Sequence, residues 1–133
     1  MLLDTSGLLC LHFSTEPLHT QACMAYQKAT MCLTHNYVIA EYVALANARR
    51  FSRSSVLDFI VDLLSNPDIE TVWVDKSIHR AAVELLTLRQ DKTYSLCDAA
   101  SFVLMRQQNC AEALTTDRHF EQEGFVRLLK PAS

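Results

Sequence analysis

The sequence predicts an α/β fold: a mostly parallel central sheet of four to five short strands with helices on both faces. Three observations carry this. Short apolar runs alternate along the chain with stretches whose apolar residues recur at helical spacing. The runs are nearly continuous in apolar character, as strands covered on both faces are. Half of the 133 residues are hydrophobic and only two are glycine, which suits one compact domain spanning residues 1–133 with a core of its own.

The elements follow in order. Residues 1–4 are an apolar run ending in Asp-Thr-Ser-Gly, a strand feeding a turn and then a helix to about residue 13. A helix is expected over 19 to about 29, a strand over 31–34, and a helix over 37–50 with Asn36 as its N-cap. Val56, Phe59, Ile60, Leu63 and Leu64 mark an amphipathic helix over 54–64, which Asn66-Pro67 stops. Residues 69–74 alternate like a strand containing Trp73, read as a core or interface residue; Phe51, Phe59 and Phe102 read as core. Asp75 suits the cap of a helix over 76 to about 89, and a polar link leads to a helix over 95–108. A strand over 113–116, a short helix opened by Asp117 and ended by Gly124, and a strand over 125–129 complete the list.

The net charge of −3 means that nothing global draws the chain to a polyanion, so a nucleic-acid contact needs local cations. Five cysteines, odd in number and without zinc spacing, read as reduced thiols. The opening MLLDTSGLL lacks the pattern of a secretory leader, and no apolar stretch approaches the ~20 residues that span a bilayer. A cytoplasmic protein with no membrane segment is expected. His12, His19, His35 and His79 show no ligand spacing and read as surface or cap residues, with His119 of more interest beside Asp117.

Four isolated carboxylates stand at the edges of apolar segments: Asp4, Glu41, Asp98 and Asp117. Asp4, Asp98 and Asp117 also fit ordinary helix-capping roles, and Ser95 with Asp98 has the form of a capping box. Glu41 falls on a helical line with Val38, Tyr42 and Leu45 that is expected to face the core, and Asp98 lines up with Phe102 and Met105. A carboxylate on such a stripe needs a partner, either an arginine such as Arg49, Arg50 or Arg106, or a cation. Four acids converging in one fold would take up protons or hold a divalent ion, and an all-oxygen donor set suits Mg2+ or Mn2+. Such a site supports metal-assisted hydrolysis of a phosphodiester.

MLLDTSGLL, the AEY of VIAEYVAL, YSLCDAASFVLM and LTTDRHFEQEGF resemble the four acidic motifs of the PIN-domain family of metal-dependent ribonucleases, especially its VapC-type toxins. The resemblance covers nearly the whole chain in the family's order. It implies a PIN-like α/β/α sandwich and a Mg2+- or Mn2+-dependent endoribonuclease holding one or two ions. Asp4, Glu41, Asp98 and Asp117 would then be the metal-site acids, with Asp4 and Asp98 the first ligands. Thr5, Ser95 and Thr116 match the family's hydroxyls, which hold the carboxylates or a bound water. The resemblance further implies 3′-hydroxyl and 5′-phosphate products, a small antitoxin as partner, and a homodimer. Cys97 stands where the family often has threonine and reads as a packing residue.

Arg49, Arg50 and Arg53, and later Lys92, Arg106, Arg118 and His119, are candidates for a rim that binds RNA phosphates. Three other readings compete. A PIN-like RNA-processing nuclease would lack an antitoxin, and a binding module would use the acids as caps and salt bridges only. A phosphoacceptor receiver domain would explain Asp4, Asp75 and the ending Leu129-Lys130-Pro131, but it leaves Glu41 and Asp98 without a role.

Overall fold

The structure is a computed structural model and describes residues 1–131; the expected end of the domain at residue 133 lies outside them. In chain order the elements are β1 (Leu2–Leu3), α1 (Thr5–His12), α2 (His19–Lys28), β2 (Cys32–His35), α3 (Asn36–Ala48), α4 (Arg53–Ser65), β3 (Ile69–Val72), α5 (Lys76–Leu88), α6 (Leu96–Gln107), β4 (Glu112–Leu114), α7 (His119–Gln122) and β5 (Val126–Arg127). The five strands form one sheet in the order β3-β2-β1-β4-β5, and every pairing is parallel. The chain therefore builds outward from β1 in one direction, then returns to build outward in the other. The reversal lies between β1 and β4, and ligands of such sheets bind beyond the strand carboxyl ends at this point.

The buried apolar strand residues divide between two layers. Leu3 and Cys32 pack with Leu8 and Leu9 of α1, Val38 and Tyr42 of α3 and Val56 and Ile60 of α4. Leu2, Leu33 and Ala113 pack on the other face with Phe102 and Met105 of α6 and Phe120 of α7, with Leu85 and Leu86 of α5 closing the layer. Gly7 lets α1 lie directly on β4, since a Cβ there would sit 2.1 Å from the Leu114 carbonyl oxygen. That close approach locks the first turn of α1 against the switch point.

Several expectations change at the element ends. His35, not Asn36, caps α3: its Nδ1 accepts from the Val38 amide at 3.4 Å. The Asn36 side chain instead accepts from the Val74 amide at 2.6 Å, which ties α3 to the end of β3. His35 is fully buried and meets Ser101 Oγ at 2.8 Å, so it is a core cap rather than a surface one. Trp73 lies past the end of β3 and is 64% exposed, so the core reading fails and the interface reading remains. Phe102 is core, whereas Phe51 and Phe59 are only partly buried.

Candidate metal centre

The acids come together because both flanks of the switch point end in polar turns. Leu3 pairs with Leu114, so Asp4 leaves β1 level with Thr115 as it leaves β4, and the Asp4 amide donates to Leu114 O at 3.2 Å. Asp4 occupies the N-cap position of α1 but makes no capping hydrogen bond. Its Oδ2 accepts the Thr115 hydroxyl at 2.7 Å. Thr115 Oγ1 accepts the Asp117 amide at 3.0 Å and sits 3.3 Å from Ser6 Oγ, which accepts the Thr116 amide at 3.0 Å. The Asp4 carboxylate and the Asp117 turn are thus joined through one threonine hydroxyl. Thr115 does what was expected of Thr116, and the difference is one residue of strand register, which motif matching does not resolve.

Asp4 is 5% exposed, and burial pushes its carboxyl up to about 7 against the hydrogen bonds from Thr115 and the Thr5 amide. The negative charges of Asp98 and Glu41 add to that rise. Asp98 is the third residue of α6, and its capping box with Ser95 is real, both bonds being 3.0 Å. Capping holds the carboxylate in place without consuming it: Oδ2 also meets His119 Nδ1 at 2.9 Å, and Oδ1 has no hydrogen bond among the described residues. Asp117 does not cap α7. Its Oδ1 accepts the His119 amide at 2.9 Å in a local turn and lies 3.4 Å from His119 Nδ1.

Asp98, Asp117 and His119 each offer one ligand atom, and these atoms lie within 4.8 Å of one another. His119 is the member that spacing could not place: the helical turn after Asp117 folds it back over the acids.

Glu41 is exposed, contrary to the expected core-facing stripe. The buried line of α3 is Val38, Tyr42 and Ala46. Glu41 is rotated by about 100° from Tyr42 and stands at the rim of that stripe. It still faces the cluster, because its charge acts on both Asp4 and Cys97. Burial and these three acids push the Cys97 thiol far up, so it is a protonated packing residue as expected. Among the described residues Glu41 makes no ion pair, and neither does Asp4. Of the arginine partners considered for Glu41, Arg49 pairs with Glu16 at 2.6 Å and Arg106 with Glu123 at 2.6 Å, while Arg50 follows the far end of α3.

The donor set fits a divalent cation. Among the described residues the carboxylates meet without a Lys or Arg counter-ion, and Thr5 Oγ1 is buried beside Asp4 with no hydrogen-bond partner. Asp4 carries the cost of that arrangement in its raised pKa, which a bound cation would relieve.

The candidate rim divides. Arg118 is exposed next to Asp117 and has no ion-pair partner among the described residues, and Lys92 lies in the link before α6, one residue from Thr93, which touches His119. Arg49 caps the far end of α3 and Arg50 follows it, eight and nine residues beyond Glu41, or about 12 Å along the helix axis. Arg106 ends α6 and, with Arg89, clamps the buried Glu123. Arg118 thus stands beside Asp117 and Lys92 next to the Thr93 that touches His119, whereas Arg49 and Arg106 are held by Glu16 and Glu123 and Arg50 lies past the end of α3.

Comparison with known proteins decides the lineage. The sequence profile of the PIN domain matches residues 1–125. The chain belongs to the PIN-domain family. The 23S rRNA-specific endonuclease VapC20 of Mycobacterium tuberculosis, matched in strains CDC 1551 / Oshkosh and H37Rv, is 29% identical over 126 residues, covering 94% of this chain and 95% of that protein. The crystal structure of M. tuberculosis VapC20, described as a sarcin-ricin loop cleaving toxin, superposes with a TM-score of 0.86 at 25% identity, covering 98% of each chain. This PIN-domain chain is thus a homologue of a toxin endonuclease, and the receiver reading is excluded. Among its described residues no helix is long and apolar enough to cross a membrane.

Proposed function

We propose that this PIN-domain protein is a metal-dependent endoribonuclease acting as the toxin of a toxin-antitoxin pair. The carrying observation is the meeting of Asp4, Asp98 and Asp117 beyond the strand ends at the switch point, with Glu41 at the rim and, among the described residues, no Lys or Arg paired with Asp4 or Glu41. Asp98, Asp117 and Asp4 would hold one or two divalent ions, Mg2+ or Mn2+. A bound ion there supplies Lewis-acid polarisation of a phosphoryl oxygen and lowers the pKa of a coordinated water.

The chain's own residues do the rest. Thr115 fixes the rotamer of Asp4, and Ser95 fixes that of Asp98. Arg118 and Lys92 meet backbone phosphates on either side of the acids and set the register of the strand without reading bases. Glu41, exposed and without an ion-pair partner, accepts a proton from the attacking water. In-line displacement leaves 3′-hydroxyl and 5′-phosphate ends.

The named substrate of VapC20 points to ribosomal RNA, and its toxin description points to a small antitoxin that blocks this cleft; homodimerisation is part of the same reading. A binding-only module loses its main support, since Asp4 makes no capping bond to α1 and Glu41 has no salt bridge among the described residues. Sequencing cellular RNA 5′ ends after brief induction tests the assignment. Wild type should create new ends at discrete ribosomal RNA positions and Asp4→Asn none; equal ends from both would overturn it.

A further inference from the structure

Among the described residues, His119 is the side-chain nitrogen donor that stands with the carboxylates. Its ring is held from three sides. Nδ1 lies 2.9 Å from Asp98 Oδ2 and 3.4 Å from Asp117 Oδ1, between the two acids. Nε2 meets Thr93 Oγ1 at 3.1 Å. The Tyr94 ring packs edge-on at a centroid distance of 5.1 Å, and the backbone is pinned by the bond from the His119 amide to Asp117. A ring merely serving as a counter-charge to Asp98 needs none of the contacts on its far edge.

The far-edge contact sets what the near edge can offer. A threonine hydroxyl donates and accepts equally well. If Nδ1–H donates to Asp98, Nε2 is left to accept from Thr93. In the other tautomer Nε2–H would donate to Thr93, and the Nδ1 lone pair would face the Asp98–Asp117 gap, where it could hold a cation. This is how an outer hydrogen-bond partner selects the ligating nitrogen of a histidine.

We propose that His119, oriented by Thr93, joins Asp98 and Asp117 as a ligand and makes the site prefer first-row transition ions over Mg2+. The proposal rests on the metal reading above and adds a specificity to it. Mg2+ is satisfied by oxygen donors and holds its waters, whereas imidazole binding strengthens from Mn2+ to Co2+ along the first row.

The test is calorimetric titration of the purified protein with Mg2+, Mn2+ or Co2+ alone, with no RNA present. Wild type should bind Co2+ more tightly than Mn2+, and Mn2+ more tightly than Mg2+. His119→Ala should lose roughly 10-fold or more of its Co2+ and Mn2+ affinity, with Mg2+ affinity within a few-fold of wild type. His119→Asp, which keeps a ligand but makes it oxygen, should compress the Co2+:Mg2+ ratio, and Thr93→Val should weaken Co2+ and Mn2+ binding while leaving Mg2+ affinity near wild type. Melting in EDTA checks that each variant folds. An unchanged ratio in His119→Ala, or tighter binding of every ion, would overturn the proposal by showing that the ring only shields Asp98. Failure of wild type to bind any of the three ions would remove the metal reading and this one with it.

Discussion

The Thr115 hydroxyl donates to Asp4 Oδ2 at 2.7 Å, joining residues 111 positions apart in the chain across the switch point of the sheet. The same oxygen accepts the Asp117 amide, so one side chain sets the positions of two acids. Thr115→Val keeps the shape and removes both bonds. It should lower RNA cleavage roughly 10–100-fold, the usual effect of losing a group that orients a ligand. Thr116→Val should leave the rate near wild type. A single-turnover comparison of the two variants separates the roles.

Two buried groups give the metal-free protein opposing pH responses. Asp4 titrates near 7 in the folded state rather than near 3.8, so between these values the folded chain holds a proton that the unfolded chain releases. Stability is therefore lost as pH rises towards 7. His35, pushed by burial from 6.5 down to about 4, does the reverse: the unfolded chain takes the proton first, and stability is lost as pH falls from about 6.5 to 4. Asp4→Asn should raise metal-free stability at neutral pH by about 2–4 kcal/mol. It should also uncover the His35 slope, a loss of about 2–3 kcal/mol between neutral pH and pH 4. Urea melts across the pH range in EDTA measure both.

The rim should divide as the fold divides it. Arg118→Ala and Lys92→Ala remove exposed charges beside the acids and should weaken RNA binding several-fold, lowering the slope of affinity against salt by about 1 each. Arg49→Ala and Arg50→Ala should leave RNA affinity unchanged. Arg49→Ala should instead cost about 0.5–1 kcal/mol of stability, through its pair with Glu16 and its stacking over Phe51. Fluorescence anisotropy at two or more salt concentrations, using Asp98→Asn as the background so that RNA stays intact, reads all four.

Much of this was legible in the sequence, and the failures share a cause. The strands were found because apolar runs buried on both faces need no partner to be recognised, and their alternation with helices gave the parallel sheet. Asp98 was placed correctly because both of its determinants, the capping box and the stripe with Phe102 and Met105, are local. Glu41 was judged buried because Val38, Tyr42 and Leu45 imply a wide stripe; the actual stripe is narrow and excludes it. Thr115, Asn36 and Trp73 depend on what faces them from remote segments: the Asp4 carboxylate, the Val74 amide and solvent. Matching the motif to the family carries no information about which hydroxyl faces Asp4, so it pointed to Thr116, whereas Thr115 makes the bond. His119 needed the tight turn after Asp117, which depends on backbone amides donating to Asp117 Oδ1 and Thr115 Oγ1.

The central claim is that Asp4, Asp98 and Asp117 form one cation-dependent hydrolytic site. Its most direct measurement is cleavage of purified ribosomal RNA by the purified protein, with Mn2+ or Mg2+ against EDTA, comparing wild type with Asp98→Asn. The predicted result is fragments bearing 5′-phosphates from wild type with divalent ion, none in EDTA, and a loss of at least ~100-fold in Asp98→Asn. Undiminished cleavage in EDTA, or full activity of Asp98→Asn, would contradict it.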